Sequence, residues 1–146
     1  METELLPALC DRAVEAYAVA EARSRIDEHI EETKGQLERL RQALSSLGRS
    51  PSKGGQMIAP LSRIATSVAP SSSSGGAVHA AVVSYAAEQF EVASYTALIA
   101  AAEHLGETQI ARLCRLNRSE DEDMADWLEA RIAILIPHVF ALGQQP

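Results

Sequence analysis

Glu88 stands in the run AAVVSYAAEQFEVASYTALIAAA, which is apolar on nearly every side. A helix of that kind belongs in a protein interior. A carboxylate there must be paired, hydrogen-bonded, protonated or bound to a metal. Glu91 follows at i+3, one turn on, so the two carboxyl groups can converge on one point. His29 and Glu32 repeat the same spacing, with Gln36 a turn later. Imidazole nitrogen and carboxylate oxygen on one helix face are the donors that iron, manganese and zinc sites use. A third acidic group, Glu120 and Asp121, lies in the run Ser119-Glu-Asp-Glu-Asp123. Each group also has a plainer reading. The runs around Glu32 and Glu120 can be solvated faces, and Glu88 and Glu91 can pair with Arg112, Arg115 or Arg131.

Helices must position these residues. Ile26, Ile30, Thr33, Leu37, Leu40, Leu44 and Leu47 alternate by three and four, one stripe that Gly48 ends as a C′ residue. Ala77 to Leu105 forms a second helix, with Ala81, Tyr85, Glu88, Val92, Tyr95, Ile99 and Ala102 on one stripe, and Gly106 breaks it. Glu107 to Ile136 forms a third, with Ile110, Leu113, Asn117, Glu120, Met124 and Leu128 aligned, and Pro137 is expected to end it. The first 47 residues as one helix would reach about 70 Å, too long for a domain of this size. They are therefore expected to form a hairpin, residues 2–47, with its turn either at Ser24 or near Tyr17 to Val19. The segment 48–76 is rich in Ser, Gly and Pro, with a short amphipathic helix expected over Met57–Val68. Two helix hairpins (2–47 and 77–136) joined by one long crossover make an all-α, ferritin-like four-helix bundle, a single domain over residues 1–146 with an apolar tail at 137–146.

The register supports a shared site. Residues equidistant from the turn of an antiparallel helix pair sit at one height. Glu91 and Asp121 are equidistant from Gly106, Glu88 and Glu120 from the neighbouring His104, and Glu2 and Glu32 from Tyr17. Acids from four helices then meet at one level, and a metal explains why like charges gather there. Gly35 costs about 1 kcal/mol against Ala inside a helix, which close helix approach would explain. Tyr95 is a core tyrosine or a partner of a ligand carboxylate, and Trp127 is read as packing.

Composition agrees. The chain has 146 residues, 47% of them apolar and only 4% aromatic, as a helical bundle would. Its net charge of −7 argues against a nucleic-acid partner, which would require clustered Lys and Arg. Cys10 and Cys114 lie far apart, with no CxxC pair, so a disulfide framework or zinc knuckle is not expected. Neither a signal peptide nor a membrane span is legible, and a cytoplasmic location is expected.

Three segments resemble a known family. His29-Ile-Glu-Glu-Thr-Lys-Gly-Gln-Leu-Glu-Arg-Leu40, Glu88-Gln-Phe-Glu-Val-Ala-Ser-Tyr-Thr-Ala-Leu98 and Ala102-Glu-His-Leu-Gly106 are similar to the YciE/YciF family of ferritin-like proteins. The resemblance covers the chain except its crossover. It implies a four-helix ferritin-like fold, often dimeric, with a di-iron or similar centre and an association with stress responses. Carried over by position, the ligands would be Glu2, His29, Glu32, Glu88, Glu91 and Glu120 or Asp121. The chain departs from the pattern at its start, where Glu2 directly follows Met1 and Pro7 comes soon after, and in a crossover reduced to Ser and Gly. The leading expectation is a dinuclear centre, iron first and manganese or zinc next, with oxidase- or peroxidase-like reactivity toward dioxygen or peroxide. The alternative is a metal-free scaffold or interaction protein with a degenerate site. A homodimer is expected through the tail (Ile132, Ile134, Leu135, Ile136, Val139, Phe140, Leu142) or through Met57–Val68, because one bundle side cannot bury so wide an apolar surface.

Overall fold

A computed structural model describes the backbone of residues 2–49 and 74–142, and the side chains of residues 20–49, 76, 78–137 and 140. Among the described residues all the regular structure is helical: α1 (Glu2–Ser46), α2 (Ser74–His104) and α3 (Thr108–Leu142). The all-α expectation holds, with three helices rather than four among the described residues. The Met57–Val68 helix expected in the crossover lies outside them. No described helix is long and apolar enough to cross a membrane.

Two expected breaks are absent. α1 runs without interruption where a turn near Tyr17 to Val19, or at Ser24, is expected. The segment Glu15-Ala-Tyr-Ala-Val-Ala-Glu21 contains no Gly, Pro or Asn. The turn was required by equal helix lengths and not by any local breaker, and good helix formers continue the helix. α3 likewise continues through Pro137 to Leu142. Proline there gives up one hydrogen bond and sets its ring against the Ala133 carbonyl, at a cost of about 3 kcal/mol. A 35-residue helix keeps the rest of its ladder and absorbs that loss.

The expected glycine stops are present. Gly106 has φ +75° and Gly48 has φ +66°, a left-handed conformation that side chains with a Cβ disfavour. At each, the two hydrogen bonds of a Schellman cap close the helix: Glu107 N–H donates to the Ala102 carbonyl (2.8 Å) and Gly106 N–H to Glu103 (3.1 Å). At the end of α1, Arg49 N–H donates to the Leu44 carbonyl and Gly48 N–H to that of Ser45, both at 2.9 Å. Gly106 therefore sets the α2–α3 register.

The chain forms two compact units, Met1–Leu37 and Glu38–Pro146. In the first, the stripe Ile26, Ile30 and Leu37 is about half exposed, and the less exposed positions are the polar Arg25, His29, Glu32 and Gln36. Periodicity finds an apolar stripe without saying what covers it. In the second, α2 and α3 pack along one another. Ala81, Ala102, Ala111 and Ala125 are buried, and small residues allow close helix approach there. Tyr95, Ile99 and Cys114 form the core, with Leu40 and Ile110 packed against it. Burial pushes the Cys114 thiol above its ordinary pKa, which suits an inert core cysteine.

Candidate metal centre

Because α2 and α3 are registered on Gly106, Glu91 and Asp121 come to one level, with Glu88 a turn before Glu91. One carboxylate oxygen from each of Glu88, Glu91 and Asp121 lies within 4.8 Å of the others. Asp121 is fully buried and Glu88 is 8% exposed, whereas Glu91 faces solvent. The cluster therefore has a dry floor and one wet wall. Three carboxylates this close repel one another, and a cation between them would relieve that repulsion. An all-oxygen set of this kind suits hard or borderline divalent ions such as magnesium, manganese and ferrous iron. Of the three carboxylates, Glu91 is the one that water reaches.

The next turn towards Gly106 holds a polar layer. Asn117 is fully buried, one turn before Asp121, and Tyr95 is one turn after Glu91; both are equidistant from Gly106. The Asn117 amide Nδ2 donates to the Tyr95 hydroxyl at 2.9 Å. Arg39, from the end of α1, donates through Nε to Asn117 Oδ1 and through Nη2 to Glu120 Oε2. The Tyr95 phenol is pushed up to about 12, first by burial and then by the negative charges of Asp121 and Glu91, against the Asn117 hydrogen bond. Tyr95 is thus a neutral phenol at physiological pH.

Among the other expected ligands, those whose side chains are described have partners of their own. Glu120 is held by Arg39, so of the adjacent pair it is Asp121 that joins Glu88 and Glu91. His29 and Glu32 meet on α1 in the first unit: Glu32 Oε2 lies 3.1 Å from His29 Nδ1 and accepts from Arg25 Nη1 at 3.0 Å. Burial raises the Glu32 pKa, but the hydrogen bonds and charges of Arg25 and His29 outweigh it and leave the carboxyl below its ordinary value. Glu2 begins α1, and its side chain lies outside the described residues. Two of the arginines expected as partners for Glu88 and Glu91 have other contacts: Arg115 pairs with Glu103, and Arg112 donates to Gln109. Arg131 stacks over Trp127, 5.6 Å from the ring centroid.

Arg39 and Asn117 carry this layer, and sequence reasoning gave neither a role. Asn117 left a signal, being an amide on an otherwise apolar and acidic stripe. Arg39 left a weaker one, as the arginine of the Gly35-Gln-Leu-Glu-Arg-Leu40 segment. No solved structure matches the chain. The sequence profile of a domain of unknown function, DUF892, matches residues 1–138, and the chain belongs to that family.

Proposed function

We propose that this chain is a ferritin-like protein of the YciE/YciF kind that holds a dinuclear metal centre, with iron as the first candidate. The observation that carries this reading is the convergence of Glu88, Glu91 and Asp121, with Glu88 and Asp121 buried. Iron bound there would supply one-electron chemistry toward dioxygen or peroxide. The chain's own residues do the rest. Glu91 admits the ion from water, while Glu88 and Asp121 hold it on the dry side. Asn117 and Tyr95 offer neutral polar groups one turn away. In this reading the sequence motif, and not the geometry, adds His29 and Glu32 to the ligand set, with Glu2 or Glu120 as further candidates.

The test is anaerobic titration of metal-stripped protein with Mn(II) and Fe(II), followed by exposure to air. The expected result is about two ions per chain and an oxidation band for iron. Binding also cancels the charges of Asp121 and Glu91 that disfavour phenolate. The Tyr95 titration, read by phenolate absorbance against Tyr95→Phe, therefore moves down from about 12. Less than one ion per two chains would end the metal reading.

The metal-free scaffold is favoured by the Arg25–Glu32 and Arg39–Glu120 ion pairs, which satisfy two expected ligands without any ion. Under that reading, melting curves with and without chelator coincide. A bound metal instead adds stability by linkage.

The same proposal includes a homodimer. Ile134, Ile136 and Phe140 on the last turns of α3 are exposed, and exposed apolar patches mark contacts. Light scattering on the full chain is expected to give twice the 15.7 kDa chain mass, and truncation after Ile136 is expected to lower it. A full-length monomer would refute the dimer, and an unchanged dimer after truncation would move the interface off the tail.

A further inference from the structure

Arg39, near the end of α1, contacts both the hydrogen-bonded layer and the acidic pair on α3. Its guanidinium is partly buried and forks: Nε goes to Asn117 Oδ1, and Nη2 goes to Glu120 Oε2. Asn117 passes the constraint on, since the amide group that accepts from Arg39 also donates to the Tyr95 hydroxyl at 2.9 Å. Accepting through Oδ1 and donating through Nδ2 fixes which way the amide faces. Glu120 and Asp121 are adjacent on α3, about 100° apart around the helix. Only Asp121 lies among the oxygens of Glu88 and Glu91.

We propose that Arg39 is the positioning residue of the acidic centre. It sorts the Glu120–Asp121 pair, holding Glu120 in an ion pair so that Asp121 alone from α3 faces Glu88 and Glu91. Through Asn117 it also orients the Tyr95 phenol beside them. This role rests on the reading of the cluster as a metal site. A guanidinium suits the task because its planar fork carries two acceptors at once, which a lysine ammonium does not reproduce. Without the cation, Glu120 loses its partner and becomes an extra negative charge and an extra donor oxygen next to Asp121. The centre then gains affinity for divalent metal, although a side chain has been removed. Loss of a merely structural residue would weaken binding.

The experiment uses the full chain and Co(II), whose visible spectrum reports ligand number and geometry. Arg39→Met is expected to bind Co(II) about tenfold more tightly than the natural chain, the low end of the range for outer-shell changes, with an altered visible spectrum. Arg39→Met combined with Glu120→Gln is expected to return affinity and spectrum to near the starting values. Arg39→Lys, which keeps the charge and loses the fork, is expected to bind Co(II) like the natural chain. A second arm needs no metal: the Asn117 side-chain amide resonances are expected to shift in Arg39→Met, in Arg39→Lys and in Tyr95→Phe. Weaker Co(II) binding in Arg39→Met, or a gain that survives Glu120→Gln, overturns the sorting of Glu120. An Asn117 amide that ignores all three substitutions overturns the link to Tyr95. Failure of the natural chain to bind Co(II) overturns the metal reading and the sorting role with it, while the amide resonances still decide the Asn117 link.

Discussion

Asp121→Asn is expected to raise the melting temperature of the metal-stripped protein and to cost at least about 100-fold in Mn(II) affinity, the upper end of what even outer-shell changes cause. The two effects share one cause. Two full charges at the 4.8 Å limit of the Glu88, Glu91 and Asp121 cluster repel by about 3 kcal/mol at an effective dielectric of about 20. Asparagine removes one charge at constant shape and brings an N–H group that can donate to the remaining carboxylates. A gain of about 1–2 kcal/mol is reasonable on that scale, worth about 4–6 °C for a chain of this size. With metal present, the sign reverses. The cation neutralises the cluster, and the natural chain gains stability by linkage that the variant lacks. Melting curves of both proteins, with and without saturating Mn(II), should therefore cross. If Asp121→Asn melted lower in both conditions, Asp121 would be a structural hydrogen-bonding group, and the acidic cluster would not be organised around a cation.

How much of this was legible from the sequence depends on how local the determining physics is. Gly48 and Gly106 were readable because a left-handed cap selects glycine at one position. Glu88 and Glu91 were readable because an i, i+3 acid pair in a wholly apolar run has few explanations. Gly106 then fixed the height of Asp121, and the Tyr95–Asn117 hydrogen bond obeys the same register. The choice between Glu120 and Asp121 was not readable. It turns on Arg39, whose arrival from a distant part of the chain no local pattern reports. The continuity of α1 past Tyr17 and of α3 past Pro137 was missed for the opposite reason. There neither overall length nor a single proline outweighs a local sequence that still favours helix. The apolar stripe Ile26, Ile30 and Leu37 is legible, but among the described residues of that unit the polar neighbours Arg25, His29, Glu32 and Gln36 are less exposed than the stripe.

Asn117 yields the second large effect. Fully buried, it accepts from Arg39 and donates to Tyr95, so one amide satisfies two groups that cannot reach bulk water easily. Asn117→Leu keeps the branched outline, leaves no cavity and removes both bonds, so hydrogen bonding is tested without cavity formation. Leaving a buried donor or acceptor without its partner costs about 1–3 kcal/mol, so a total loss of about 2–4 kcal/mol is expected, less whatever leucine gains by its apolar surface. Tyr95→Phe deletes the other end of one of these bonds and is expected to cost about 1 kcal/mol. The two residues touch, so the changes should not add. In the double variant the Tyr95 hydroxyl is no longer present to be orphaned, and its loss should fall short of the sum by about 1 kcal/mol. Urea unfolding of the natural chain, both single variants and the double variant measures that difference directly. A strictly additive result would mean that the Asn117–Tyr95 bond contributes nothing, and that the polar layer beside the acidic cluster is held by Arg39 alone.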